Sequence, residues 1–416
     1  MKNENLIIYL DYQDILTFCS GHLLYKEAYA YEWENENVIH IHLSKKCHQF
    51  GQMYPALFAI DNKKTMQDKQ FRFHVFIEKI LPEPSVSVFV DGVQSDFYYI
   101  PDRNSLFSRN KGLLEKDVLK SKKAMIIGLG SFGAQIAVEL AKAGVGKFSL
   151  FDFDRIELHN LARHIATVND LGRLKTDVVE DAILGKNPYA LVDKFPIDID
   201  KNAELLSSEV GKSDIVICAT DNNSSRLNLS KELVKKNKVG IFGRAVTRAA
   251  GGDVFRYRPG GACYACLIGH GIISKEEISS VQAGRLSGAI PAYTSDEDAQ
   301  AVVQVGLAAD ISPICNMMIK LALLELSKGT ESGIQTLEDD LVYDCYIWAN
   351  RREYNFKNWH VFYQSGADRT IMRWYGVKVH KLDGCPVCST DIILDTGQKG
   401  EYHDPENSDY EGLALV

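Results

Sequence analysis

The sequence predicts an α/β protein with a doubly wound, mainly parallel sheet, preceded by a small β-rich or α+β domain. Three observations carry this. From residue 124 onward, apolar strand-like runs alternate with amphipathic helical stretches, the pattern of repeated β-α-β units. Before residue 105 the runs are short, rich in β-branched and aromatic residues, and bounded by Pro, Gly and Asn or Asp. The 416 residues are 45% hydrophobic and 25% charged, which fits a globular chain of two or three domains and excludes disordered and collagen-like architectures.

The elements follow in order. Residues 38–42, 71–77 and 85–90 read as strands of the first domain, 1–105. Cys19, Cys47 and the histidines of this region are scattered without metal-ligand spacing, so they are read as structural, and the domain's role stays open. A polar connector over 101–110 leads into the second domain, 106–416. There, 124–127, 147–151, 215–219 and 239–242 are strands, with helices over 134–143, 177–184 and 314–326. On such a Rossmann-like sheet, ligands sit beyond the carboxyl ends of the strands.

Charge and hydropathy narrow the function classes. With 47 basic and 55 acidic residues the net charge is -8, which argues against a nucleic-acid or anionic-membrane surface. No apolar run reaches the roughly 18 residues of a membrane span, and the first residues lack a secretory h-region. A cytoplasmic location is expected, where nine cysteines are thiols or metal ligands rather than disulfides.

Gly128, Gly130 and Gly133 leave the first of these strands and enter a helix, so backbone amides can approach a phosphate. Asp152 follows at the end of the next strand, where an acid can bind ribose hydroxyls. A nicotinamide dehydrogenase and an ATP enzyme share these features. Asp154, Asn160, Arg163 and Lys175 come next, and Asp221 ends a further buried strand where it can hold Mg2+. The pyrophosphate of a dinucleotide is handled mostly by a helix N-terminus, whereas a triphosphate, with about twice the charge, needs side-chain cations and a metal. A nicotinamide oxidoreductase leaves this series unexplained. No Walker loop is present, since 144–148 lacks the Ser/Thr and precedes a strand.

Together, the glycine run, Asp152, Asp154, Glu157, Asn160, Leu161, Arg163, Lys175 and Asp221 resemble the ThiF/MoeB/HesA family, whose adenylating domain is shared with ubiquitin-activating enzymes. The resemblance spans about 106–388. It implies that the glycine loop backs ATP, Asp152 holds the ribose, Arg163 and Lys175 act catalytically on the phosphates with Asn160, and Asp221 orients Mg2+. The 107–110 segment is similar to one whose arginine, here Arg109, reaches the other subunit's nucleotide, so a homodimer is implied. His164 replaces the family's usual glutamine, and Ser131 stands where a third glycine is common.

Cys263/Cys266 and Cys385/Cys388 form two Cys-x-x-Cys hairpins, which together supply the four sulfurs of a closed, structural zinc site. A thioredoxin-like pair is disfavoured because neither hairpin is expected to start a helix after a strand in that context. Family members that form a thioester place a cysteine in the loop crossing the adenylate. Between Leu267 and Pro313 there is none, which leaves Cys315 as the fallback nucleophile.

The expected activity is therefore ATP-dependent adenylation of the C-terminal carboxylate of a ubiquitin-like protein, in a bacterial conjugation or sulfur-carrier type of pathway, with a conjugating enzyme as a further partner. Two alternatives remain: adenylation of a peptide in natural-product biosynthesis, and a nucleotide-binding scaffold that has lost catalysis.

Overall fold

The computed structural model describes residues 6–33, 36–44, 52–60, 70–78, 84–100, 106–115, 117–273, 306–353, 356–357, 370–389 and 413–415. The chain divides into two units, Met1–Leu106 and Phe107–Val416.

The first unit contains β1 (Ile7–Asp11), α1 (Tyr12–Ser20), β2 (Tyr25–Trp33), β3 (Val38–His42), β4 (Gln52–Ile60), β5 (Phe73–Glu78), β6 (Ser85–Val90), β7 (Val93–Ser95) and β8 (Tyr98–Ile100). These strands form one mixed sheet in the order β7-β6-β5-β4-β2-β3-β1-β8. Asp91 and Gly92, both at positive φ, make the tight turn between β6 and β7, the Asp-Gly chemistry a two-residue hairpin demands. Alternate residues such as Ile8, Leu10, Ile39, Ile41, Phe73 and Val75 bury one sheet face, with Ile15 and Phe18 of α1 in the same core.

The histidines of this unit are not all isolated. His42 Nδ1 lies 3.6 Å from Asp14 and 3.8 Å from Asp11, a group whose members come from different elements and so show no sequence spacing. Both carboxylates already serve the backbone: Asp11 caps α1 by accepting from Gln13 N, and Asp14 accepts from Leu43 N. Cys19 is half-buried, and Cys47 lies outside the described residues.

The second unit runs through β9 (Lys123–Ile127), α2 (Gly133–Ala143), β10 (Lys147–Phe151), α3 (Lys175–Leu184), β11 (Leu191–Phe195), α4 (Ala203–Lys212), β12 (Ile215–Cys218), α5 (Asn223–Lys236), β13 (Val239–Ala245) and β14 (Gly251–Tyr257). It continues with α6 (Tyr264–Gly269), α7 (Ala308–Leu326), β15 (Cys345–Ala349), β16 (Arg373–Val377) and β17 (Leu413–Leu415). The sheet order is β11-β10-β9-β12-β13-β14-β15-β16-β17. Its first five strands are parallel and the remaining four extend it in antiparallel fashion.

Burial explains the continuous apolar strands. Ala124 and Ile126 of β9 face α2, α3 and α7, whereas Met125 and Ile127 face α4 and α5. A strand covered on both sides must be apolar at every position, not at alternate ones. Helix ends follow local chemistry. Gly144, at φ 102°, closes α2 with its N–H on Leu140 and Ala141 carbonyls, and Asn222 caps α5 by accepting from Ser225 N.

Between β9 and β12 the strand order reverses direction. The loop after β9 turns one way into α2 and the loop after β12 turns the other into α5, which opens a crevice between them.

Candidate functional site

That crevice is a cleft of about 800 Å³ at the carboxyl ends of the parallel strands. It is lined by Gly128, Gly130, Asp152, Asp154, Asn160, Arg163, Lys175 and Asp221, so eight positions singled out in the sequence converge here. Gly133 lies behind the loop and Arg109 lies outside the cleft lining.

Two glycines are required by close approach. A Cβ on Gly133 would stand 1.8 Å from the Gly128 carbonyl oxygen, and one on Gly128, whose φ is +83°, would stand 2.8 Å from the Ala219 carbonyl oxygen. The glycine loop thus packs directly on the backbone of the β12–α5 loop. Gly130 differs: nothing lies within 4 Å of its Cβ position, so this stretch of backbone is open to a ligand.

Asp152 is nearly buried and its two oxygens accept from Leu129 N at 2.7 Å and Asp154 N at 2.8 Å. Burial raises its carboxyl above the usual value, and the nearby Lys175 ammonium opposes that rise. Through these two bonds the acid fixes the glycine loop. Lys175, at the start of α3, donates to Asp154 Oδ2 at 2.6 Å and lies 4.0 Å from Asp152. Asn160 accepts from Glu157 N through its Oδ1 and shapes the turn that presents half-buried Arg163. Asp221 is exposed, at the bend that follows β12.

The sequence reading overlooked three further arginines that line the cleft. Arg226 is 4% exposed and ties the Asp221 loop from behind, donating to Thr220 O at 2.5 Å. Arg244 pairs with Asp253 across β13 and β14 at 2.6 Å. Arg248 and Ala249, both at positive φ, form the turn between those strands, and Arg351 donates to the Arg248 carbonyl while Asn350 donates to that of Ala249 at 2.8 Å. Only the left-handed turn could have signalled this, and no glycine marks it.

On the α4/α5 side of the sheet the four cysteines converge as expected. Cys263 and Cys266 sulfurs are 3.8 Å apart, Cys263 and Cys385 3.6 Å, and Cys266 and Cys388 3.4 Å, and all four residues are buried. A tetrahedral zinc with bonds of about 2.3 Å separates its sulfurs by about 3.8 Å, so the set fits that ion. One detail departs from expectation. Cys263 does begin a helix, as the residue capping α6, although its sulfur also meets that of Cys385 from a distant hairpin.

Arg109 is exposed, on a short 3-10 helix over Ser108–Asn110. Cys315 is fully buried in α7 among apolar side chains, which push its thiol up to about 12, and it does not line the cleft. Residues 274–305, most of the expected crossing loop, lie outside the described residues.

The ThiF family model matches residues 102–337 of this chain. The chain belongs to the ThiF family. It is 29% identical over 188 residues to the molybdopterin-synthase adenylyltransferase of Escherichia coli (strain K12), covering 45% of this chain and 74% of that protein. The ubiquitin-like modifier-activating enzyme 5 of Caenorhabditis elegans is 26% identical over 163 residues, covering 37% of this chain and 39% of that one. Among solved structures, Escherichia coli MccB superposes with a TM-score of 0.48 at 19% identity, over 69% of this chain and 70% of its own. The reaction class of this ThiF chain is adenylyl transfer.

Within the ThiF pattern, the His164 departure now has a physical account. Its Nδ1 accepts from Ala166 N at 3.0 Å, so Nε2 carries the proton and donates to Leu129 O at 2.8 Å. Burial lowers its pKa from the ordinary histidine value, which disfavours the imidazolium. A glutamine, too, can donate and accept, so the exchange retains the tether on the glycine loop. Ser131 lines the cleft beside Gly130, adding a hydroxyl to the open backbone. Among the described residues no helix is long and apolar enough to cross a membrane.

Proposed function

We propose that the cleft binds ATP with Mg2+ and that the chain transfers AMP to the C-terminal carboxylate of a ubiquitin-like protein. The observation that carries this reading is the convergence of Asp152, Asp154, Arg163, Lys175 and Asp221 on one cleft where the strand order reverses. The names of the relatives support the substrate class, since one is an activating enzyme for a ubiquitin-like modifier.

In this reading the open backbone at Gly130 and the N-terminus of α2 receive phosphate, and Asp152 adds a ribose hydroxyl to the amides it already holds. Lys175 exchanges its Asp154 partner for phosphate oxygen, and Arg163 joins it. Asp221 holds Mg2+, which neutralises triphosphate charge when bound. An acceptor carboxylate oxygen forms the bond to the α-phosphorus, the bond to the bridging oxygen breaks, and pyrophosphate leaves. The acceptor is already ionised, so no general base is needed, and catalysis rests on positioning and charge. The buried Cys315 and the cysteine-free stretch between Leu267 and Pro313 favour release of the adenylate without a thioester on this chain.

We further propose a cytoplasmic homodimer in which Arg109 completes the partner's cleft, with a conjugating enzyme taking the product onward. The test is exchange of labelled pyrophosphate into ATP, measured with small proteins ending in glycine and with short peptides as acceptors. Exchange that needs both Mg2+ and a glycine-ended protein supports the proposal. Exchange with peptides alone moves the substrate class, and binding of NAD in place of ATP overturns the reading.

A further inference from the structure

A buried line of hydrogen bonds runs from the cysteine cluster to the loop that carries Asp221. Tyr264 stands between Cys263 and Cys266 as the first residue of α6 and is 1% exposed. Its ring stacks on Phe242, with centroids 4.9 Å apart, and meets Phe255 edge-on at 6.1 Å. Its hydroxyl donates to Asn223 Oδ1 at 3.3 Å, and the same oxygen accepts from Arg226 Nη1 at 3.3 Å. Arg226 Nη2 then donates to the Thr220 carbonyl, the residue before Asp221. At the other end, Tyr264 N–H donates to Ser230 Oγ at 3.1 Å. Tyr264 therefore grips α5 at its first turn and again seven residues on.

We propose that Tyr264 is a positioning residue for the cleft: by holding Asn223 and Arg226 it sets the 219–222 loop, and with it the Asp221 carboxylate. The proposal rests on the reading of the cleft as a MgATP site. The physical basis is the shortness of the connection. Only residues 219–222 separate β12 from α5, so a small displacement of Arg226 moves the Thr220 carbonyl and has no slack to dissipate in. The same backbone packs on Gly128, so the displacement also reaches the glycine loop. The buried guanidinium has a strict need for acceptors, since an unmatched charged donor is costly away from water. Ring packing alone needs no hydroxyl, which separates positioning from filling space.

The experiment is ATP titration of the zinc-loaded full chain, with and without Mg2+, for wild type, Tyr264→Phe, Asn223→Ala and the double variant. Tyr264→Phe keeps the ring and removes one buried hydrogen bond. It is expected to weaken binding of ATP with Mg2+ about tenfold, the equivalent of about 1.4 kcal/mol, while changing binding of ATP alone less than twofold. Zinc content stays at the wild-type value and the thermal midpoint falls by no more than about 4 °C, the cost of one buried hydrogen bond. The double variant binds no more weakly than Asn223→Ala, because both changes break one line of contacts. If Tyr264→Phe loses zinc, Asn223→Ser, which touches no cysteine, carries the same comparison. Binding with Mg2+ within twofold of wild type, or equal losses with and without Mg2+, overturns the proposal. A wild type that binds no ATP under either condition instead overturns the reading of the cleft, and the positioning role with it.

Discussion

The cleft and the cysteine cluster belong to the same unit and are built on opposite physical terms. In the cleft, Gly130 leaves open space where a side chain would begin, Asp221 is exposed, and Lys175 is held by a carboxylate that is itself half-exposed. In the cluster, four buried sulfurs lie within 4.8 Å of one another and present no open side. The first arrangement can exchange its partners for a ligand, whereas the second can only be completed or broken. Charge left accessible marks chemistry, and charge closed on itself marks a structural staple.

This contrast breaks most readily at the cluster. Cys385→Ser should abolish the roughly one zinc per chain expected of wild type by elemental analysis and unfold much of the second unit, because a structural zinc site contributes about 10–16 kcal/mol to folding. Well-folded protein lacking zinc removes the staple role.

At the cleft the expected loss is kinetic. Asp221→Ala should lower pyrophosphate exchange about a thousandfold, several kcal/mol of charge stabilisation, with the unfolding transition unmoved. Undiminished exchange contradicts its metal role. Mixing this variant with Arg109→Ala sharpens the point. If sites are shared across a two-fold dimer, random mixing should restore about a quarter of wild-type exchange, since half the dimers carry one complete site. No recovery from verified mixed dimers means that Arg109 does not act in trans.

The glycine loop allows the two behaviours to be compared three residues apart. Gly133→Ala sets a methyl against the Gly128 carbonyl and should cost about 2–3 kcal/mol in a urea melt. Gly130→Ala meets nothing and should change stability by less than about 0.5 kcal/mol, yet weaken ATP binding about tenfold. The reverse pattern rules out the open-backbone account.

The smallest effect concerns pH. Burial depresses His164 below 6.5, so the unfolded chain takes up the proton first. Its contribution to stability is whole above about pH 6.5 and is lost as pH falls toward the folded value. His164→Gln, keeping the tether to Leu129, should flatten that decline in denaturant titrations at successive pH values. An unchanged slope assigns the decline to other groups.

Much of the cleft is legible in the sequence because its parts are local signals. Glycine spacing, a carboxylate at a strand's end and the cations that follow all come from short segments whose placement on a doubly wound sheet is governed by general topology. Arg226, Arg244 and Arg248 escaped notice for the complementary reason. Arg226 looks like one more polar position on a helix until α5 docks, and Arg248 sits on a left-handed turn whose carbonyls are held by Asn350 and Arg351, about 100 residues on.

The amino-acid sequence alone determined the alternation of elements, the glycine loop and the two Cys-x-x-Cys pairs, each resting on periodicity or on spacing within a few residues, and its residue series from Gly128 to Asp221 carries the resemblance to the ThiF family. Tertiary structure decided what those pieces do to one another. It brought Cys263 and Cys385 to 3.6 Å across 122 residues, joined Asp11, Asp14 and His42, extended the parallel sheet with four antiparallel strands, and linked Tyr264 to Thr220 through Asn223 and Arg226. Such contacts depend on packing between distant segments, and neither residue type nor spacing encodes a distance of that kind until the core has formed.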